Sequence, residues 1–191
     1  VRLAEDLNDN VKEYAEMITR EMGKPIAQSR AEVEKCAWVC EYYAENAEEQ
    51  LDSDVVATEA DESYVQFDPI GPVLAIMPWN FPFWQVMRFA APALMAGNVA
   101  VLKHASNVMG CSLLIEKAFK NAGFPQGCFQ SLLIGSKEIE KVIRDPRIKA
   151  VTLTGSTEAG QAVASTAGSE IKKSVLELGG SNALVVFEDA D

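Results

Sequence analysis

The sequence predicts an α/β protein: an open, mainly parallel sheet with helices on its faces, preceded by an N-terminal helical hairpin. Three observations lead there. The first residues carry an apolar stripe at steps of three and four. From Val73 onward short apolar runs alternate with helical segments, and glycines stand where those helices should stop. Alternation of this kind implies βαβ units, because parallel neighbours need a crossover and the crossover is usually helical.

Leu3, Leu7, Val11, Tyr14, Ile18 and Met22 line one side of a single helix that stops at Gly23, with Pro25 beyond it. A second helix is expected from Ile26 to Leu51, with Ala27, Ala31, Ala37, Trp38 and Tyr42 as candidates for burial, so that residues 1–51 make the hairpin. Residues 52–72 read as a connector: acidic and irregular to Glu62, a short strand at Tyr64, Val65 and Phe67, then a turn from Asp68 to Pro72. Residues 73–191 supply the sheet. Its strands are VLAIM, VAVLK, FQSLLI, AVTLT, SVLEL and ALVVF; its helices run up to Met95, from Met109 to Asn121, around Ile139 to Ile143 and around Glu158 to Ala167. Gly97, Gly123 and Gly168 mark helix ends, and there is no internal repeat.

A chain of 191 residues that is 48% hydrophobic can bury a core of its own. The formal net charge of -11 argues against nucleic acid, which needs clustered Lys and Arg to displace counterions. No apolar run approaches the roughly 20 residues that cross a bilayer, and VRLAEDLNDN has neither the basic start nor the apolar centre of a signal peptide. The expectation is therefore no membrane partner and a cytoplasmic location by default, with room for an upstream piece because the chain opens on Val1. Cys36, Cys40, Cys111 and Cys128 form no CxxC pair and, with His104, no zinc spacing, so no metal is expected and the thiols read as reduced core residues.

In an open parallel sheet, ligands bind beyond the carboxyl ends of the strands. Those places hold Pro78, Trp79, Asn80, Phe81 and Pro82 after VLAIM; Lys103 and His104 closing VAVLK; Gly135 and Ser136; Gly155 and Ser156 after AVTLT; and Glu177 ahead of Gly179 and Gly180. GSTEAG sets glycines, hydroxyls and a helix start directly after a strand, which suits a phosphate but equally an ordinary helix cap; it is not a P-loop, since Gln161 and Ala162 follow Gly160. Prolines on both sides restrict Trp79, Asn80 and Phe81, and a held amide N–H is an oxyanion donor. The plainer reading has Asn80 starting a turn with Trp79 and Phe81 buried, and Glu177 as an exposed acid.

MPWNFPFW, LKHASNVMG, VTLTGSTEAG and LELGGSNALVVF, in that order, resemble the aldehyde dehydrogenase superfamily across nearly all of Ile18 to Asp191; EMGKPIAQSRAEV and KHASNVMG are most like bacterial succinate-semialdehyde dehydrogenases. The resemblance implies a Rossmann-like coenzyme-binding domain over residues 1–191, with the catalytic cysteine domain outside this chain. It implies oxidation of a small aldehyde to the acid through a cysteine thioester, with hydride passing to NADP or NAD. Asn80 matches the oxyanion amide and Glu177 the general base. Lys103 matches the lysine on the adenosine ribose and Ser156 the serine near the pyrophosphate, with Trp79 and Gly155 lining the same groove.

Where many NAD-using members place an acid three residues after the lysine, this chain has Ser106, which removes repulsion of a 2′-phosphate; NADP is expected to be accepted, with His104 close enough to help. Arg88 stands where succinate-semialdehyde enzymes hold the substrate carboxylate, its plainer reading being a surface ion pair. The family nucleophile lies in a Gly-Gln-x-Cys segment downstream of LELGG and therefore beyond Asp191. A truncated chain without turnover is expected, with uncovered apolar surface and sheet edge, the complete protein being a homo-oligomer. The alternative is a stand-alone dinucleotide-binding or subunit-association module.

Overall fold

The computed structural model describes residues 1–180 and 182–190. Its N-terminal apolar stripe folds as two helices rather than one, α1 (Arg2–Asp9) and α2 (Val11–Met22). The break is at Asn10, whose side-chain amide donates to the Asp6 carbonyl at 2.9 Å, the same oxygen that its backbone N–H reaches at 3.0 Å. An asparagine that competes for helix carbonyls in this way bends the chain, although Leu3, Leu7, Tyr14 and Ile18 still reach one core. Helix α2 ends as expected on Gly23, whose φ of 76° is open to glycine at no steric penalty.

The long helix α3 (Ile26–Gln50) buries Ser29, Glu32, Val33, Cys36, Ala37, Val39, Cys40 and Ala47. Of the expected burial candidates only Ala37 is among them: Ala27 and Ala31 are exposed, and Trp38 and Tyr42 stand 61% and 41% exposed. The misassignment has a physical cause, since the buried face contains the charged Glu32, which pattern reading assigns to solvent. The connector forms a two-stranded antiparallel hairpin of β1 (Asp54–Val55) and β2 (Tyr64–Val65), both exposed; the first of these strands is not signalled by its sequence.

The sheet is as predicted in type. In chain order come β3 (Pro72–Met77), α4 (Trp84–Met95), β4 (Val99–His104), α5 (Met109–Asn121), β5 (Phe129–Ser131), α6 (Ile139–Arg144), β6 (Ala150–Thr154), α7 (Thr157–Ser169) and β7 (Lys173–Glu177). The five strands are all parallel, in the order β5-β4-β3-β6-β7. Alternating side chains divide the core. Ala75, Met77, Ala100 and Leu102 pack with α1 to α5 on one face, while Leu74, Ile76, Val151 and Leu153 pack with Ile143, Val163 and Ala167 of α6 and α7 on the other.

Two expectations fail at the C-terminal end. Helix α7 runs through Gly168 to Ser169, whose hydroxyl ties down the last turn on the Thr166 carbonyl at 2.7 Å, and the left-handed residue is Ile171 at φ 53°. ALVVF forms no strand, and its Leu184, Val185, Val186 and Phe187 are 88%, 68%, 69% and 72% exposed. Only residues 178–182 separate β7 from ALVVF, short of the crossover of about a dozen that a parallel partner of β7 requires.

Candidate functional site

The lateral register sets Met77 beside His104, Ile76 beside Lys103, and Thr154 beside Glu177, so the residues that follow β3, β4, β6 and β7 emerge on one rim. Pleating then sorts them by face. Lys103 alternates with the core residues Leu102 and His104 and lies on the α6–α7 side with Ile76, the side on which α7 begins. Glu177 follows Lys173 and Val175 on the α4 side, facing Arg88. Lys103 is 8% exposed and its burial lowers the pKa of its ammonium, which has no acceptor among the described residues. Ser106 is exposed in the turn after β4. Ser156 caps α7 by accepting the Ala159 N–H at 3.2 Å, and the Gly155 N–H is bonded to the Glu177 carbonyl at 3.0 Å, tying two rim segments together.

The 78–83 loop is held from below. Trp79 and Phe81 are 51% and 45% exposed, so they are not the buried pair of the plainer reading, and Asn80 between them is exposed too. Its downstream end is fixed by groups from distant parts of the chain. The Glu32 carboxylate accepts the N–H of Phe83 at 2.9 Å and of Trp84 at 3.0 Å, and its other oxygen pairs with the Lys24 ammonium. That ammonium lies 3.7 Å from the centre of the Phe81 ring. Glu32 and Lys24 are both buried, and sequence reasoning missed them; the only hint was a glutamate within an otherwise apolar stripe.

His104 belongs to this scaffold and not to the coenzyme. It is fully buried; Nε2 lies 2.9 Å from the Pro82 carbonyl, and Nδ1 lies 3.2 Å from the Met77 carbonyl and 2.9 Å from the Ala105 nitrogen. Burial lowers the His104 pKa, and because the ring is wholly enclosed the expectation that it assists a 2′-phosphate is overturned. The reason is its place on β4: alternation turns it away from the Lys103 side.

Between α4 and the β6–β7 half of the sheet runs a cleft of about 470 Å³, lined by Gln85, Arg88, Phe89, Thr152, Thr154 and Glu177 among others. Arg88 and Glu177 meet in it with Nη2 4.0 Å from Oε2, both side chains largely exposed. Gln85 Oε1 is buried without a hydrogen-bond partner among the described residues. The rim thus offers a cation and a helix N-terminus on one face, and a guanidinium beside a carboxylate on the other.

Residues 1–191 match the sequence profile of the Aldehyde dehydrogenase family. The chain belongs to the aldehyde dehydrogenase family. Among curated relatives, a probable NADP(+) succinate-semialdehyde dehydrogenase of Synechocystis sp. is 57% identical over 190 residues, covering 100% of this chain and 42% of the relative. An NADP(+) succinate-semialdehyde dehydrogenase of Mycobacterium avium is 52% identical over 191 residues, covering 98% and 40%. A crystal structure of the Streptococcus pyogenes succinic semialdehyde dehydrogenase, in complex with NADP+ as the cofactor, superposes with a TM-score of 0.93 at 38% identity, covering 100% of this chain and 42% of that one. The Burkholderia pseudomallei succinate-semialdehyde dehydrogenase gives a TM-score of 0.90 at 32% identity, covering 100% and 40%. This aldehyde dehydrogenase chain therefore spans about 42% of the Synechocystis relative's length.

Within this aldehyde dehydrogenase chain none of the four cysteines is an exposed thiol. All are free; Cys36, Cys40 and Cys111 are buried, and burial raises the pKa of each, that of Cys40 to about 12. Cys128 immediately precedes β5 and so lies at the amino ends of the strands, opposite the rim. Among the described residues no group of three or more His, Cys, Asp or Glu side chains is arranged to hold a metal ion. None of the described helices is long and apolar enough to cross a membrane.

Proposed function

We propose that residues 1–191 are the coenzyme-binding segment of an NADP-accepting aldehyde dehydrogenase that oxidises succinate semialdehyde or a similar acidic aldehyde. The observation that carries this reading is the division of the rim: Arg88 and Glu177 share one cleft on the α4 side, while Lys103 and the start of α7 occupy the other side at the same strand ends. Substrate and coenzyme would then approach one edge from opposite faces. The names of the relatives point the same way.

The residues present fit a phosphorylated coenzyme. Lys103 is a shielded cation with no acceptor among the described residues, the first-turn N–H groups of α7 have no intrahelical acceptors, and Ser106 brings no negative charge next to a 2′-phosphate. Lys103 would bind the ribose, Ser156 and Gly155 would flank the pyrophosphate, Trp79 would line the groove, and the bound coenzyme would supply the hydride acceptor. Asn80 would donate its amide N–H to the oxygen that gains charge when the aldehyde is attacked. Glu177 would take a proton from the attacking thiol or from water. Arg88 would hold the substrate carboxylate in a two-pronged ion pair, which Glu177 partly mimics at 4.0 Å. Cys36, Cys40 and Cys111 are buried and Cys128 lies at the amino ends of the strands, so this reading takes the nucleophile from outside residues 1–191, and the isolated chain is expected to give no turnover.

Arg88→Gln tests the substrate assignment in the full-length gene product that carries these residues. Its kcat/KM for succinate semialdehyde should fall about tenfold to a hundredfold, the worth of a charged hydrogen-bonded contact. A neutral aldehyde of the same length should be little affected. Equal losses for both aldehydes would overturn the role given to Arg88.

A further inference from the structure

We propose that Glu32, charge-balanced by Lys24, is a positioning residue that fixes the direction of the Asn80 amide; the proposal rests on Asn80 being the oxyanion donor. Helix α4 starts without a local cap: Phe83 is its N-cap, no side-chain cap bond is made there, and no acid lies in its first turn. The first N–H groups of a helix need acceptors, and Ser, Thr, Asp or Asn next to the start normally supplies one. Here the acceptor comes from α3, where one Glu32 oxygen binds the N–H groups of both Phe83 and Trp84. Asparagine is a preferred capping residue, so a local solution would have drawn Asn80 into the helix start. With Glu32 in that place, the Asn80 side chain is left free for a ligand.

The same buried group sets the loop's position. Phe81 meets Lys24, the Pro82 carbonyl meets His104, Phe83 and Trp84 meet Glu32, and the fully buried Phe83 ring packs on Tyr14 with centroids 5.3 Å apart. Each of the four residues after Asn80 is thus anchored, Phe83 and Trp84 by the same Glu32 oxygen. The Glu32 side chain is 2% exposed and that of Lys24 is 7% exposed. Burying such a pair contributes little net stability, because desolvation offsets the attraction, and an apolar pair of the same volume would serve a core equally well. What the carboxylate adds is direction: two backbone N–H groups are held by one oxygen whose partner oxygen is fixed in turn. A shift of about 1 Å in a group that must meet a transition state can reduce rate a hundredfold.

The test is a double-mutant cycle between Glu32→Gln and Asn80→Ala in the full-length gene product, read as kcat and as KM for coenzyme. Glu32→Gln should lower kcat about tenfold to a hundredfold and leave coenzyme KM unchanged, and on the Asn80→Ala background it should have almost no further effect. Losses that multiply across the two backgrounds would overturn the proposal while leaving Asn80 its role. An Asn80→Ala enzyme with undiminished kcat would overturn the oxyanion reading itself, and the proposal with it. Amide hydrogen exchange in the 191-residue chain provides a readout that needs no turnover. Faster exchange confined to Phe83 and Trp84 in Glu32→Gln supports the proposal, and exchange unchanged there or accelerated throughout α3 and α4 counts against it.

Discussion

At the scale of single residues, neighbouring positions on β4 have opposite tasks because a strand turns successive side chains to opposite faces. Lys103 faces the α6–α7 side as a partly desolvated cation, and His104 faces the core, braced against Pro82. His104 is the only histidine, so its linkage to stability can be isolated. Its folded pKa lies below the ordinary 6.5, so the unfolded chain binds the proton more readily, and stability is lost as the pH falls from 6.5 towards the lowered value. Thermal unfolding at pH 7 and pH 5.5 should show a clear drop in Tm for the native chain and a smaller one for His104→Gln; parallel drops would contradict the assignment. In the proposed reading Ser106 sets the coenzyme preference. Ser106→Glu should weaken NADP binding at least about tenfold, by restoring a carboxylate next to the 2′-phosphate, and spare NAD; competitive titration of the two coenzymes reads the difference.

At the scale of elements, distant carboxylates perform work that local sequence leaves undone. Glu32 does so for α4, and Glu21 for α5, accepting the N–H of Gly110 at 2.7 Å and of Cys111 at 2.8 Å from a site on α2. Removing this cap with Glu21→Ala should reduce stability by about 1–2 kcal/mol, seen as a lower urea midpoint with the slope preserved; an unchanged midpoint would show that water replaces the carboxylate without loss. These links also explain what could be foreseen. Helix α5 was legible to its end residues because its signals are local: apolar spacing from Met109 and a left-handed Gly123 at φ 81°. Strands β3, β4, β6 and β7 and their rim were legible from period and position. Glu32 was not, because a buried charge looks like a solvent-facing one until its partners 51 and 52 residues away are placed. Nor was the bend at Asn10, where one side-chain amide outweighs an unbroken apolar stripe. ALVVF has the composition of a strand, but a strand also needs a neighbour, which composition does not report.

For the whole molecule, clusters of apolar residues stand open to water on the β1–β2 hairpin, with Val55, Tyr64 and Phe67, and along the segment from Leu184 to Phe187. Surfaces of this kind associate. Sedimentation of the 191-residue chain should show concentration-dependent self-association that Val186→Lys weakens; a monomer at all concentrations would contradict that. The proposed division of the rim into a coenzyme side and a substrate side is the central claim, and coenzyme binding by the chain itself tests it without any need for turnover. In a calorimetric titration NADP should bind the 191-residue chain, and Lys103→Met should weaken binding at least about tenfold, while Arg88→Gln, on the opposite face, should leave it unchanged. Binding that ignores Lys103, or that is lost with Arg88 instead, would contradict the division.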